Sequence, residues 1–144
     1  MTTVENLLKV KGKVIWSIAP QATVYDALLT MSEKDAGALL VIDEGKLVGI
    51  FTERDYARKL ILKGRFSKDT AVSELMTQQV LYVDSKNTIS DCMNLMTNNR
   101  VRHLPVIDHG ELAGIVTIGD VVKQIITEQE STIQELEKYI TGSY

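Results

Sequence analysis

The sequence predicts an α/β (α+β) fold: two β-α-β-β-α units packed about a pseudo-two-fold axis, with a long helix at the C-terminal end. Three observations carry this. Residues 17–55 return without a gap as residues 82–120, with thirteen identities in 39 aligned pairs, so the chain is a tandem duplication. Within each copy the apolar pattern changes from helical spacing to two short apolar runs separated by a glycine turn. Beyond the second copy an apolar stripe continues at helical spacing through Ile118–Ile140.

Each copy reads the same way. A short apolar strand comes first, Val14–Ile18 in one copy and Val80–Val83 in the other. Thr23 and Thr88 then stand as N-caps, with Asp26 and Asp91 three residues on, where the positive end of a helix favours a carboxylate. Val24, Ala27, Leu28 and Met31 recur as Ile89, Cys92, Met93 and Met96, the core face of that helix. The methionines and Cys92 read as core residues, Cys92 being small and apolar rather than a nucleophile. Strands Ala38–Ile42 and His103–Ile107 follow, then turns at Gly45 and Gly110, then strands Leu47–Thr52 and Leu112–Thr117, pairing as antiparallel hairpins. A second helix begins after Thr52 and after Thr117. The polar joint Gly64–Thr70 leads into a brief helix at Ala71–Met76. The division expected is residues 1–66 as a first motif with an N-terminal helix and residues 67–144 as a second motif with an extended C-terminal helix, together one module. A unit of this size is marginal alone and buries its apolar face against its copy.

Composition narrows the function classes. A net charge of −3 and a pI near 5.4 leave no broad basic face for nucleic acid. No apolar run reaches the roughly 20 residues that span a bilayer, and the start of the chain lacks the regions of a signal peptide. The polar residues of the last helix are largely acidic, which disfavours anionic lipid. With one cysteine no internal disulfide forms, and a cytoplasmic location is expected. Catalysis is not expected either: His103 and His109 are the only histidines, and neither a Cys/His cluster nor a nucleophile or Walker motif is present, so no catalytic or metal residue is named.

The informative strings are Gly49-Ile-Phe-Thr52-Glu-Arg-Asp55 and Gly114-Ile-Val-Thr117-Ile-Gly-Asp120. Each sets a threonine at the end of a strand and an aspartate one turn into a helix. Free backbone N–H groups there suit a phosphate, and the carboxylate suits a pair of ribose hydroxyls. The same spacing equally fits a Thr/Asp cap that only stabilises the helix. Recurrence of both residues in both copies favours binding, since a cap tolerates Ser, Asn and Asp as well. Gly49 and Gly114 would let a ligand approach the backbone.

These strings, with Leu104-Pro-Val-Ile-Asp108 and the gapless tandem spacing, resemble CBS motifs, and the chain from about Val14 to Lys123 is similar to a stand-alone CBS-domain pair, or Bateman module. The resemblance implies two clefts between the motifs that take adenosine-containing ligands such as AMP, ADP, ATP, NAD or S-adenosylmethionine. It implies that Asp55 and Asp120 hold ribose, that Thr52 and Thr117 contact ribose or phosphate, and that main chain near Trp16, Ser17, Leu81 and Tyr82 surrounds adenine, with Ile50 and Ile115 in the binding strings. Phosphates would lie near Gly37-Ala38 and Arg102-His103. Here the copies differ: a guanidinium and an imidazole stand where the first copy leaves open space, so the Asp120 cleft is expected to bind phosphate better. Lys11 is a further candidate for that phosphate. Arg54, Arg58 and Lys59 read as a solvated helix face, and the Trp16 ring as core. The function expected is an adenine-nucleotide-binding regulatory module sensing energy or redox state, acting as a homodimer on a regulated partner protein. The alternative is a ligand-independent dimerisation or scaffolding protein working through its helices; a DNA regulator is weaker still, for want of basic charge.

Overall fold

The computed structural model describes residues 2–141. In chain order the elements are α1 (Val4–Lys11), β1 (Ser17–Ile18), α2 (Val24–Lys34), β2 (Ala38–Asp43), β3 (Lys46–Thr52), α3 (Glu53–Asp55, running on as π-helix through Tyr56–Ile61), a 3-10 turn at Ser67–Asp69, α4 (Val72–Leu75), α5 (Ile89–Asn99), β4 (His103–Asp108), β5 (Glu111–Thr117) and α6 (Ile118–Thr141). They form two compact units, one from Val14 to Leu81 and one from the residues up to Lys13 together with those from Tyr82 onward. This is not the division at 66/67. Each motif is completed by the segment that precedes the other motif in the chain.

The reason is a repeated set of backbone bonds. In the Val14–Leu81 unit, Val72 N–H donates to Ala22 O, Ser73 N–H to Pro20 O, and Val24 N–H to Thr70 O. In the other unit Val4 N–H donates to Asn87 O, Glu5 N–H to Ser85 O, and Ile89 N–H to Thr2 O, the same pattern one repeat on. Thus α1 covers the second motif as α4 covers the first. Their apolar stripes match: Val72 and Leu75 seal a core of Val24, Ala27, Met31, Leu39, Val41, Phe51 and Leu60, while Val4, Leu7 and Leu8 seal one of Ile89, Cys92, Met96, Leu104, Val106, Val116 and Val121. The Cys92 thiol is buried there, and burial followed by the Asp91 charge pushes it up to about 11. It is core, as expected.

Thr23 and Thr88 cap α2 and α5 through hydrogen bonds from Asp26 N–H and Asp91 N–H. Both hairpins form, with Asp43 opposite Lys46 and Asp108 opposite Glu111, around two-residue turns whose residues all have positive φ: Glu44 and Gly45, His109 and Gly110. That backbone matches the twist of the flanking strands.

The leading strands depart from expectation. β1 is two residues long and pairs parallel to β2, with Leu40 N–H donating to Trp16 O. In the second copy Val80–Val83 forms no strand, only a bridge between Val83 and Val106. The residue matching Leu40 is Pro105, which has no N–H to give, so the ladder bond that anchors β1 has no counterpart.

Candidate functional site

In the unit that holds the second motif, Thr117 ends β5 and Asp120 lies in the first turn of α6. They form a reciprocal cap: Thr117 N–H donates to Asp120 Oδ2 at 2.9 Å, and Asp120 N–H donates to Thr117 Oγ1 at 3.2 Å. Lys11, in the last turn of α1, reaches the same carboxylate. Its Nζ lies 2.6 Å from Asp120 Oδ2 and donates to Ile115 O at 2.7 Å. The Lys11 ammonium and the Thr117 N–H both fall on Oδ2, so among the described residues Oδ1 keeps acceptor capacity, and the side chain is 21% exposed. Burial alone would raise this carboxyl, but the bonds from Lys11 and Thr117 outweigh it and hold the group below the usual carboxylate range.

His103 opens β4 directly opposite Thr117, and Arg102 precedes it. Burial, then the charges of Lys11 and Arg102, push the imidazole below its ordinary value, against the pull of Asp120. The ring is therefore neutral near pH 7 and sits within electrostatic range of two cations and one carboxylate. One unit thus gathers Lys11, Arg102, His103, Ile115, Thr117 and Asp120, with the exposed Tyr82 at its chain boundary.

The matching site in the other unit is closed. Thr52 and Asp55 make the same reciprocal cap, but Asp55 is 4% exposed and carries four contacts. Thr52 N–H and Thr52 Oγ1 donate to Oδ2 at 3.0 and 3.1 Å; Thr77 Oγ1 donates to Oδ1 at 3.1 Å, and Lys59 Nζ lies 2.8 Å from Oδ1. Lys59 also donates to Leu75 O at 3.1 Å, so it turns inward rather than joining a solvated face. A carboxylate holding four partners has little left for a sugar. Gly37, Ala38 and Ile50 lie in this unit with Trp16, Ser17 and Leu81. Gly37 O is taken by Glu53 N–H, and Ala38 and Ile50 are buried.

Two other expectations change. The Trp16 ring is not core: it is 40% exposed, with Lys34 Nζ 4.7 Å above its centroid, because it stands just before the two-residue β1. The close approach at Gly49 and Gly114 is made by the protein itself. A Cβ on Gly49 would lie 2.7 Å from Met76 Sδ and 2.9 Å from Thr77 O; one on Gly114 would lie 2.9 Å from Leu8 Cδ2. These glycines admit the lead-in segments. The inward turn of Lys59 was readable from its place four residues after Asp55; Lys11, expected near a phosphate at the Asp120 site, lies on the Asp120 carboxylate itself, a contact that spans 109 residues.

The model of the CBS domain family matches residues 10–62 and 72–127. The chain belongs to the CBS domain family. Its relatives include the mitochondrial CBS domain-containing protein CBSX3 of Arabidopsis thaliana, 41% identical over 99% of this chain and 74% of that protein, and the CBS domain-containing protein YhcV of Bacillus subtilis, 33% identical over 78% of this chain and 80% of that protein. Among solved structures, a putative signal-transduction protein with CBS domains from Burkholderia ambifaria superposes with a TM-score of 0.86 at 49% identity, covering 89% of this chain and 96% of that one. The CBS domain pair of protein MJ0100, solved in complex with 5′-methylthioadenosine and S-adenosylmethionine, shares the fold at a TM-score of 0.77 and 24% identity, over 89% of this chain and 98% of that one. The CBS pair is a regulatory module by family, and its tandem repeat is the pair itself.

Proposed function

We propose that this CBS domain pair is an adenine-nucleotide-binding regulatory module whose working site is the one built on Asp120. The observation that carries the reading is the difference between the two matched carboxylates: Asp55 is buried under four partners, whereas Asp120 keeps acceptor capacity beside Lys11, Arg102 and His103. Ribose hydroxyls can donate to that free acceptor, and a phosphate suits the three basic groups. In the free protein Lys11 occupies the carboxylate and the Ile115 carbonyl. A ligand bearing phosphate gives the ammonium a new partner as ribose replaces it on Asp120, so the exchange costs less for a nucleotide than for a nucleoside.

The ligand class rests on the family resemblance: AMP, ADP, ATP, NAD or S-adenosylmethionine, reporting energy or redox state to a partner protein through a shift in conformation. The protein acts as a sensor and carries out no reaction of its own. Isothermal titration with each of these ligands tests the reading. Binding of at least one, weakened at least about tenfold by Asp120→Ala with folding retained, is expected; absence of heat and of thermal shift with all of them overturns it.

A further inference from the structure

The segment that leaves the first hairpin is charged as its counterpart in the second copy is not. Residues 56–68 carry five of the chain's sixteen basic residues, Arg58, Lys59, Lys63, Arg65 and Lys68, and none of its nineteen acidic ones. At the same offset of the repeat, residues 121–133 carry one lysine and two glutamates. The fold therefore does not require this charge. Interleaved with it are apolar side chains that the core does not take. In the stretch 60–66 only Leu60 is buried, while Ile61, Leu62 and Phe66 are 55, 78 and 72% exposed. Large apolar groups this close together on a surface, set among cations, mark a contact.

The backbone of this tip is closed on itself. Lys63 N–H and Arg65 N–H both donate to Leu60 O, and Gly64 N–H donates to Ile61 O, in a turn that Gly64 makes at φ 65°. Phe66 O accepts from Asp69 N–H and from Thr70 Oγ1. The tip can leave water without orphaning these groups, the condition that lipid imposes. A stable protein contact takes roughly 800 Å² from each partner, about 20–30 residues a side, more than this short segment offers; insertion into lipid needs no such area or shape. The charges suit an anionic surface. Arg58 and Lys63 are exposed and, among the described residues, unpaired, while Arg65 rests on the half-exposed Glu74 and Lys68 lies over the Tyr25 ring. Their long stems let the cations stay at headgroup level as the apolar side chains go deeper. We propose that residues 58–68 dock reversibly on an anionic phospholipid surface, with Leu62 and Phe66 entering the acyl boundary and Arg58, Lys63, Arg65 and Lys68 meeting the headgroup phosphates. The acidic α6 belongs to the other unit and takes no part. The contact is independent of any ligand at Asp120.

Vesicle flotation with the full-length protein tests this. Two vesicle compositions are used, phosphatidylcholine alone and phosphatidylcholine with about 30% phosphatidylserine. Two double variants separate the apolar from the charged contribution: Leu62→Ser with Phe66→Ser, and Arg58→Glu with Lys63→Glu. All four side chains are exposed, and circular dichroism confirms that the variants stay folded. The wild type is expected to float with the phosphatidylserine vesicles and not with phosphatidylcholine alone, and to be released as salt rises. Each double variant is expected to bind at least about tenfold more weakly. A wild type that stays in solution with both vesicles overturns the proposal and leaves the tip to a protein partner. Equal binding to both compositions rejects it as well. So does binding that the glutamate pair abolishes and the serine pair leaves unchanged, which is adsorption without insertion.

Discussion

Replacing Lys11 by methionine keeps most of the side chain's length and apolar stem while removing the charge that now sits on Asp120. The pair is close, at 2.6 Å, but its side chains are 26% and 21% exposed, so solvent screens much of the attraction and the net contribution is about 1 kcal/mol. A nucleoside, which offers no phosphate, must break this pair to reach the carboxylate. In Lys11→Met that cost is gone, and adenosine is expected to bind about fivefold more tightly. AMP gains the same relief but loses a charge-assisted bond to phosphate, about 1.5–3 kcal/mol, and so binds more weakly overall. The preference for AMP over adenosine therefore falls by roughly ten- to a hundredfold, with the two ligands moving in opposite directions. Isothermal titration of both ligands against both proteins measures this. Parallel shifts, or a preference unchanged within about twofold, would refute the idea that Lys11 exchanges a carboxylate for a phosphate.

Other outcomes follow from the same geometry. Asp55→Ala strips Lys59 and Thr77 of their partner in a buried place and is expected to cost about 2–4 kcal/mol in urea unfolding, while Asp120→Ala costs about 1 kcal/mol. Gly49→Ala drives a Cβ against the rigid Thr77 carbonyl and should cost about 1–3 kcal/mol; Gly114→Ala meets only the movable tip of Leu8 and should cost less than about 1 kcal/mol. His103 has a depressed folded value, so its contribution to stability is present above its unfolded value of 6.5 and is lost as pH falls through the folded one. Thermal melts should show this decline below about pH 6.5, and His103→Gln should flatten it. A bound phosphate reverses the shift, so AMP affinity rises as pH falls over the same window.

Much of the fold was legible because the repeat states each element twice. Thr23 and Thr88, the paired turns at Gly45 and Gly110, and the apolar run of α6 are local signals, and the structure places them where spacing puts them. The exchange of lead-in segments was not legible. Only Val4 and Leu7 against Val72 and Leu75 mark their equivalence, and the bonds that fix them join residues far apart in the chain. The missing β1 counterpart could have been read from Pro105, whose lack of an N–H forbids the bond that Leu40 makes. At the site, the Thr-x-x-Asp strings carried two meanings, cap and ligand, and both strings do cap their helices. What separates them is the company each aspartate keeps: Thr77 and Lys59 saturate Asp55, while a single lysine from α1 stands on Asp120. Those contacts depend on the lead-in segments, which is why sequence comparison of the two copies pointed to unequal sites through Arg102 and His103 alone.

The stoichiometry of AMP binding, read by isothermal titration of the wild type beside Asp120→Asn, tests the central claim most directly. One site per chain is expected, with its affinity reduced at least about tenfold in the variant. Two equivalent sites per chain, binding indifferent to Asp120→Asn, or no binding of any adenosine ligand would contradict it.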